Sequence, residues 1–139
     1  MSEANKALAH RFHMDIFQRK DPAAAEQILS RDFVWHGGMG PGEGQRGPAA
    51  TKLVATALSV AFPDLHITHD DIVAEGDKVL IRWTARGTQR GEFQGIAPTG
   101  KAVMVTGVDL FRVAGGKIVE LWQEADRLAM MQQLGVIPK

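Results

Sequence analysis

The hydrophobic period of the chain changes from helical to alternating at Leu65, and that change restricts the fold more than any other feature. Before it, apolar residues recur at helical spacing. Leu8, Phe12 and Ile16 at i, i+4 and i+8 predict a first helix over residues 3 to 19. Asp21-Pro22 ends it and begins a short second helix through Leu29, with Asp21 as N-cap and Pro22 in the first position. Phe33 to His36 reads as a brief extended piece and Gly37 to Gly47 as a glycine-rich loop. A third helix over Pro48 to Phe62 carries Leu53, Val54, Ala57, Leu58, Ala61 and Phe62 as a wide apolar stripe. After Leu65 the period is two. Val79, Ile81, Trp83 and Ala85 form one alternating set, Val103, Val105, Phe111 and Val113 a second, and Val119, Leu121 and Ala125 a third. Leu65 to Val73 is less regular, as a bulged strand would be. Asp126 to Leu134 predicts a terminal helix with Leu128, Met131 and Leu134 inward and Gly135 as its stop. Helices first and strands later argue for one α+β domain over residues 1–139, with an antiparallel sheet.

Composition removes several kinds of chemistry. The 16 basic residues balance 16 acidic ones, which gives no electrostatic case for nucleic acid or an anionic membrane as partner. No cysteine is present, so there is no disulfide, thiol nucleophile or thiolate-ligated metal. No tyrosine is available to protonate an oxyanion. The serines are Ser2, Ser30 and Ser59, none in a G-x-S-x-G setting, which disfavours a serine hydrolase. The N-terminus lacks a basic run followed by an apolar core, and no apolar stretch has the length of a membrane span. A cytoplasmic protein is the expectation.

Two polar residues stand on apolar strand faces. Asp109 interrupts the set Val103, Val105, Phe111, Val113, and Gln123 interrupts Val119, Leu121, Ala125. Their relation depends on the hairpin at Val113 to Lys117. A tight Gly115-Gly116 turn would put Phe111 opposite Glu120 and set the two apolar faces against each other. A type I turn with Gly116 as a G1 bulge pairs Phe111 with Val119 and Asp109 with Leu121, so that the faces coincide. That register makes Asp109 and Gln123 diagonal neighbours ~7 Å apart. A carboxylate alone among apolar side chains costs several kcal/mol unless it is paired, hydrogen-bonded or protonated. Such a group suits general acid–base work, with Gln123 orienting it or donating to a substrate carbonyl. A polar core network without chemistry is the alternative reading of the same spacing.

Phe62-Pro63-Asp64, Ala97 to Lys101, Phe111 to Val113, Gly116 to Trp122, Asp126 and Gln133 to Gly135 fall in an order that resembles the SnoaL-like polyketide cyclases of the NTF2-like superfamily. The resemblance implies an NTF2-like (cystatin-like) cone, a curved antiparallel sheet wrapped by helices around one deep apolar pocket. It also implies homo-oligomers, dimers or tetramers, joined through the outer sheet face. Leu80, Val108, Leu110 and Trp122 make that face apolar, and Arg82, Arg86 and Arg112 face Glu120 and Glu124 there. The family's cyclases use an aspartate in the last strand for an intramolecular aldol closure, with a histidine on the neighbouring strand. Carried over by register, those positions are Gln123 and Asp109. An amide removes no proton, so the aldol mechanism does not transfer intact. Limonene-epoxide hydrolases need an acid at Gln123, and ketosteroid isomerases need a tyrosine.

The remaining candidates take their places from this resemblance. His36 borders the pocket mouth as an auxiliary acid/base or substrate contact, against the alternative of a surface-loop histidine. Trp35, Phe62, Trp83, Phe93, Phe111 and Leu121 are candidate lining for a flat, small hydrophobic ligand, two or three of the aromatics being expected to touch it. His10 and His13, at i and i+3, lack the third ligand of a metal site and read as a satisfied or exposed pair. His66 and His69 read as a solvated strand end on opposite faces. Gly87 to Gly100 reads as a flap carrying Phe93. The expectation is an enzyme that needs no cofactor or metal and acts on a hydrophobic carbonyl compound by cyclisation or isomerisation. Asp109 is its acid/base, Gln123 the orienting amide and His36 the auxiliary. A non-catalytic binding protein and a SnoaL-like hydroxylase are the alternatives.

Overall fold

Leu65 does mark the boundary between the helical layer and the main run of strands. The computed structural model describes residues 2–37 and 45–138. Most of the glycine-rich loop, residues 38–44, lies outside the described residues. Helix α1, Ser2–Arg11, continues directly into a π-helical segment, Phe12–Gln18. Then follow α2 (Ala24–Ile28), β1 (Leu29–Gly37), β2 (Gln45–Arg46) and α3 (Gly47–Ala61). Strands β3 (His66–Glu75), β4 (Lys78–Thr88), β5 (Ala102–Ala114) and β6 (Lys117–Ala125) come next, and α4 (Arg127–Leu134) closes the chain.

The strands form one curved sheet in the order β2-β1-β6-β5-β4-β3. Every neighbouring pair is antiparallel except β1 and β6, which run parallel. The sheet is therefore mixed rather than wholly antiparallel. Its parallel pair joins a strand that follows the first helices to one late in the chain, and a parallel pair needs such a long crossover. The helices lie on one face and enclose an α+β core in which Phe12, Ile28, Phe33, Ile81 and Phe111 are buried.

Three local features place the site. First, the α1 helix widens at Phe12. Its π-helical turn turns Phe12, His13, Ile16 and Phe17 all to the core. Such widened turns recur where side chains must be aimed at a site. Second, the β5–β6 turn is the two-residue form, with Ala114 opposite Lys117 and φ of 58° and 76° at Gly115 and Gly116. Positive φ at both central residues matches the twist of a hairpin, and glycine adopts it without strain. The G1-bulged turn expected from the sequence is not formed. The extra residue sits further along, between Ile118 and Glu120, and shifts the register by one in the opposite direction, so the expected pairs Phe111–Val119 and Asp109–Leu121 do not form although the apolar faces coincide. Phe111 then pairs with Leu121 and Asp109 directly with Gln123. Ile118, not Val119, fills the core at that end. Third, β3 turns His69 inward two residues after the buried Ile67, and a bulge between His69 and Asp71 follows it.

Two helices bury other residues than the periodicity predicts. Leu53 is 68% exposed on α3, where Thr51, Val54 and Ala61 are buried. Leu128 is 58% exposed on α4, and Met130 with Leu134 packs inward. Asp126 caps α4 by accepting from Ala129 N at 3.0 Å, and Gly135 ends it at φ 84°. Among the described residues no helix is long and apolar enough to cross a membrane.

Candidate functional site

A cavity of about 80 Å³ lies between the helices and the sheet. Phe12, Phe17 and His13 line it from the π segment, Trp35 from β1, Trp83 from β4 and Gln123 from β6. Leu58, Phe62, Val105 and Met130 complete much of the wall. The wall is apolar apart from His13, Gln123, Arg86 and the indole nitrogens.

Asp109 lies just behind this wall and is fully buried, with 0% of its surface exposed. Its Oδ1 accepts from Trp83 Nε1–H at 2.9 Å and from the Gln123 amide at 2.9 Å. Its Oδ2 is 2.7 Å from His13 Nε2, and His13 is itself buried. Three partners thus satisfy the carboxyl, which meets the large cost of burying it. All three partners line the cavity. With Oδ1 already accepting two donors, the proton shared with His13 belongs between Oδ2 and Nε2. Because Gln123 gives its amide N–H to Asp109, its Oε1 is the end free of that bond.

His13 extends the network away from the carboxyl. Its Nδ1 lies 2.7 Å from His69 Nε2. Burial, with His13 and then His10 as neighbouring positive-capable rings, pushes His69 from 6.5 down to about 4. The nearby Asp109 and Asp70 act the other way and are outweighed. His69 is therefore neutral near neutral pH, and its Nδ1 is buried without a hydrogen-bond partner among the described residues. His10, exposed on α1, meets His69 edge-on at 5.1 Å between ring centres. Among the described residues no group of three or more His, Asp or Glu side chains is arranged to hold a metal ion.

The structure separates the expected site residues. Asp109 and Gln123 come together, with Asp109 behind the cavity wall and Gln123 on it. Trp35, Phe62 and Trp83 line the cavity, and Trp35 Nε1 is buried there with no hydrogen-bond partner among the described residues. Phe111 and Leu121 are fully buried in the core below rather than on the wall. Phe93 is buried against Phe62, with ring centres 5.5 Å apart, and is not a wall residue. The flap reading of its loop is corrected: Gln89, fully buried, bonds the carbonyls of Gly91 and Ile96 and both the N–H and the hydroxyl of Thr99.

His36 is also corrected. Strand alternation turns Trp35 to the cavity and so turns His36 to the outer face. There its Nε2 lies 2.6 Å from Glu120 and its ring stacks on Trp122 at 5.4 Å. The His36 hydrogen bond, with Arg112 adding to it, holds Glu120 below the usual carboxylate range. Arg112 does meet Glu120, at 3.0 Å, but Arg82 pairs with Asp71 rather than with the β6 glutamates.

His13 and His69 are the members of this network that the sequence reading misses, since it takes His13 with His10 for a satisfied or exposed pair and His69 with His66 for a solvated strand end. The signal was present. His13 lies four residues from both Ala9 and Phe17 on the buried side of the first helix, and His69 continues the set Leu65, Ile67. Both break an apolar face as Asp109 and Gln123 do.

The family model for SnoaL-like polyketide cyclases matches residues 7–134. Among solved structures, TsrD from Streptomyces laurentii is 27% identical with a TM-score of 0.86, over 97% of each chain. AclR from Streptomyces galilaeus, a candidate hydroxylase, is 30% identical with a TM-score of 0.84, over 100% of this chain and 85% of its own. IdmH from Streptomyces antibioticus, a candidate polyketide cyclase, is 32% identical with a TM-score of 0.74, over 88% of this chain and 93% of its own. No curated protein sequence matches the chain.

Proposed function

Because the chain belongs to the SnoaL-like polyketide cyclase family, we propose that it is a pocket enzyme that moves a proton on a hydrophobic carbonyl compound, in a cyclisation or isomerisation. One observation carries this reading: a fully buried carboxylate, Asp109, whose three hydrogen-bond partners all line the cavity. Asp109 and His13 act as one acid–base unit. His13 exchanges the proton with substrate at Nδ1, turning that nitrogen from His69 to the ligand, while Asp109 stays on Nε2 and balances the imidazolium charge. Gln123 holds the carboxyl through its N–H and offers Oε1 to the substrate. The unpartnered Trp35 N–H donates to the substrate carbonyl, where charge develops. The outer sheet face carries the contact between copies of the chain, as dimer or tetramer.

The test is turnover of a panel of polyketide-like ketones by wild type, Asp109→Asn and His13→Gln. Both variants are expected to lose activity by ~10²-fold or more with an unchanged circular dichroism spectrum. Undiminished turnover in Asp109→Asn would overturn the assignment.

A second reading, a protein that binds a small apolar ligand without converting it, is favoured by one departure from the family. An amide, Gln123, stands where the cyclases keep their acid, and Asp109 is shielded from the cavity. A ligand that co-purifies and elutes unchanged after long incubation identifies that case. Likeness to AclR adds a hydroxylase reaction, for which oxygen dependence of turnover is the discriminating measurement.

A further inference from the structure

His69 and His10 take no part in the proton transfer described above, yet His69 continues its hydrogen-bonded line and His10 packs edge-on against His69. Along Asp109, His13, His69 and His10 the side chains pass from fully buried, through buried and half-buried, to exposed. The first two steps are contacts of 2.7 Å each, and the last is the 5.1 Å ring contact. We infer that His69 is a proton-relay residue that connects His13 to solvent beside His10. It loads and unloads the buried pair from the α1 side of the sheet rather than through the apolar cavity. This inference rests on His13 and Asp109 being the acid–base pair.

The hydrogen count supports such a relay. His13 Nε2–H donates to Asp109, so a neutral His13 has a bare Nδ1 and accepts from His69 Nε2–H. His69 Nδ1 is then a bare nitrogen, the buried atom left without a partner. A proton arriving at that nitrogen from solvent lets His69 pass its Nε2–H to His13 Nδ1. His13 becomes imidazolium against the Asp109 carboxylate, and His69 returns to neutrality with its hydrogen on Nδ1. The reverse sequence discharges the pair. One proton enters, one N–H bond forms at each ring and one breaks at His69, and no other reactant is needed.

The surroundings keep His69 in the form that can do this. It faces His10 from α1, His13 from the π segment, Asp109 from β5, the Trp83 indole from β4 and Asp70 on its own strand. Its low value of about 4 leaves one N–H and one bare nitrogen at neutral pH. An imidazole that was permanently charged would donate from both nitrogens and relay nothing.

Nitrogen-15 NMR of the histidine-labelled protein tests this without any substrate. In wild type the His69 hydrogen should sit on Nε2 while His13 is neutral and move to Nδ1 as His13 becomes charged. A His69 tautomer that stays fixed through the titration of His13 would overturn the relay. In His69→Gln, whose amide keeps the hydrogen bond but cannot shuttle a proton, exchange of the His13 ring N–H with water should slow by ~10²-fold. In His69→Ala the same slowing should be relieved by imidazole in solution. Exchange at the wild-type rate in both variants, or slowing that imidazole leaves untouched, would also overturn it. None of these readouts uses turnover, so a reaction without a relay and a relay without a reaction are told apart.

Discussion

Trp83 reaches Asp109 because the residue facing it across the sheet, Gly107, has no side chain. The two are register partners on β4 and β5, and the indole lies over the glycine so that its N–H meets Asp109 two residues further along. A Cβ at position 107 would stand 2.7 Å from Trp83 Cε2 and closer still to Cζ2. The indole is buried, so any movement of it must displace its neighbours. Gly107→Ala should therefore cost ~1–3 kcal/mol by overpacking. It should also lift the indole from the carboxyl. A lower urea midpoint with altered tryptophan fluorescence is the expected outcome. Wild-type fluorescence at wild-type stability would show that the ring is not held where the structure puts it.

The Asp109 carboxyl is expected to be a stability determinant as well as a chemical one. In Asp109→Ala the His13, Trp83 and Gln123 donors lose their acceptor in a buried site, at a cost of ~3–5 kcal/mol. In Asp109→Asn the amide oxygen still accepts from Trp83 and Gln123, so the loss should be nearer ~1–2 kcal/mol. Urea denaturation of the two variants beside wild type checks the order. Equal losses would mean that the two bonds at Oδ1 contribute little.

Acid should destabilise the fold through His69. Its value falls from 6.5 in the unfolded chain to about 4 in the fold. Between those limits the unfolded state binds more protons than the native one, so stability rises with pH across the window. Going down from pH 6.5, one such group removes stability at no more than ~1.4 kcal/mol per pH unit, less here because His69 is partly exposed and solvent screens it. Below about pH 4 the ring is charged in both states, the loss is complete and this group adds no further pH dependence. His69→Gln should flatten the pH dependence of the urea midpoint between those limits. A slope as steep as wild type would assign the acid sensitivity to other groups.

The architecture was legible wherever an element obeyed one period throughout. β4 and β5 bury the alternating sets read from the sequence, Val79 to Trp83 and Val103 to Val113. The errors fall where a strand or helix changes phase partway. The bulge between Ile118 and Glu120 exchanges Val119 for Ile118 and shifts the register opposite to the expected turn bulge, so the observed pairing lies two residues from the expected one. A difference of two keeps every side chain on its face and sets Asp109 directly against Gln123 instead of Leu121. His13 and His69 keep the inward phase of Ala9 and of Ile67, and the period breaks only beside them, in the widened turn from Phe12 and the bulge after His69. Half of the polar network was visible as polar breaks in strand faces. The other half needed the same test applied to the helix and to the irregular strand, plus the distances between elements, which periodicity does not contain. His36 failed for a simpler reason: adjacent residues on a strand point to opposite faces, and Trp35 already held the inward position.

The cavity makes a last prediction about ligand size. At about 80 Å³ it is roughly half the ~150 Å³ of an engineered apolar cavity that binds benzene. A larger ligand must therefore displace part of the wall, and Met130, unbranched and buried on α4, is the adaptable side chain there. Met130→Ala should lower stability by ~2–5 kcal/mol, because the removed thioether leaves space that the surrounding Phe62 and Val103 do not fill. The enlarged cavity should then take benzene, which stabilises only the folded state and raises Tm with concentration. The expected result is a lower Tm for the variant and a larger benzene-induced rise than in wild type. Equal rises in the two proteins would place the benzene elsewhere and show that α4 does not bound the ligand space.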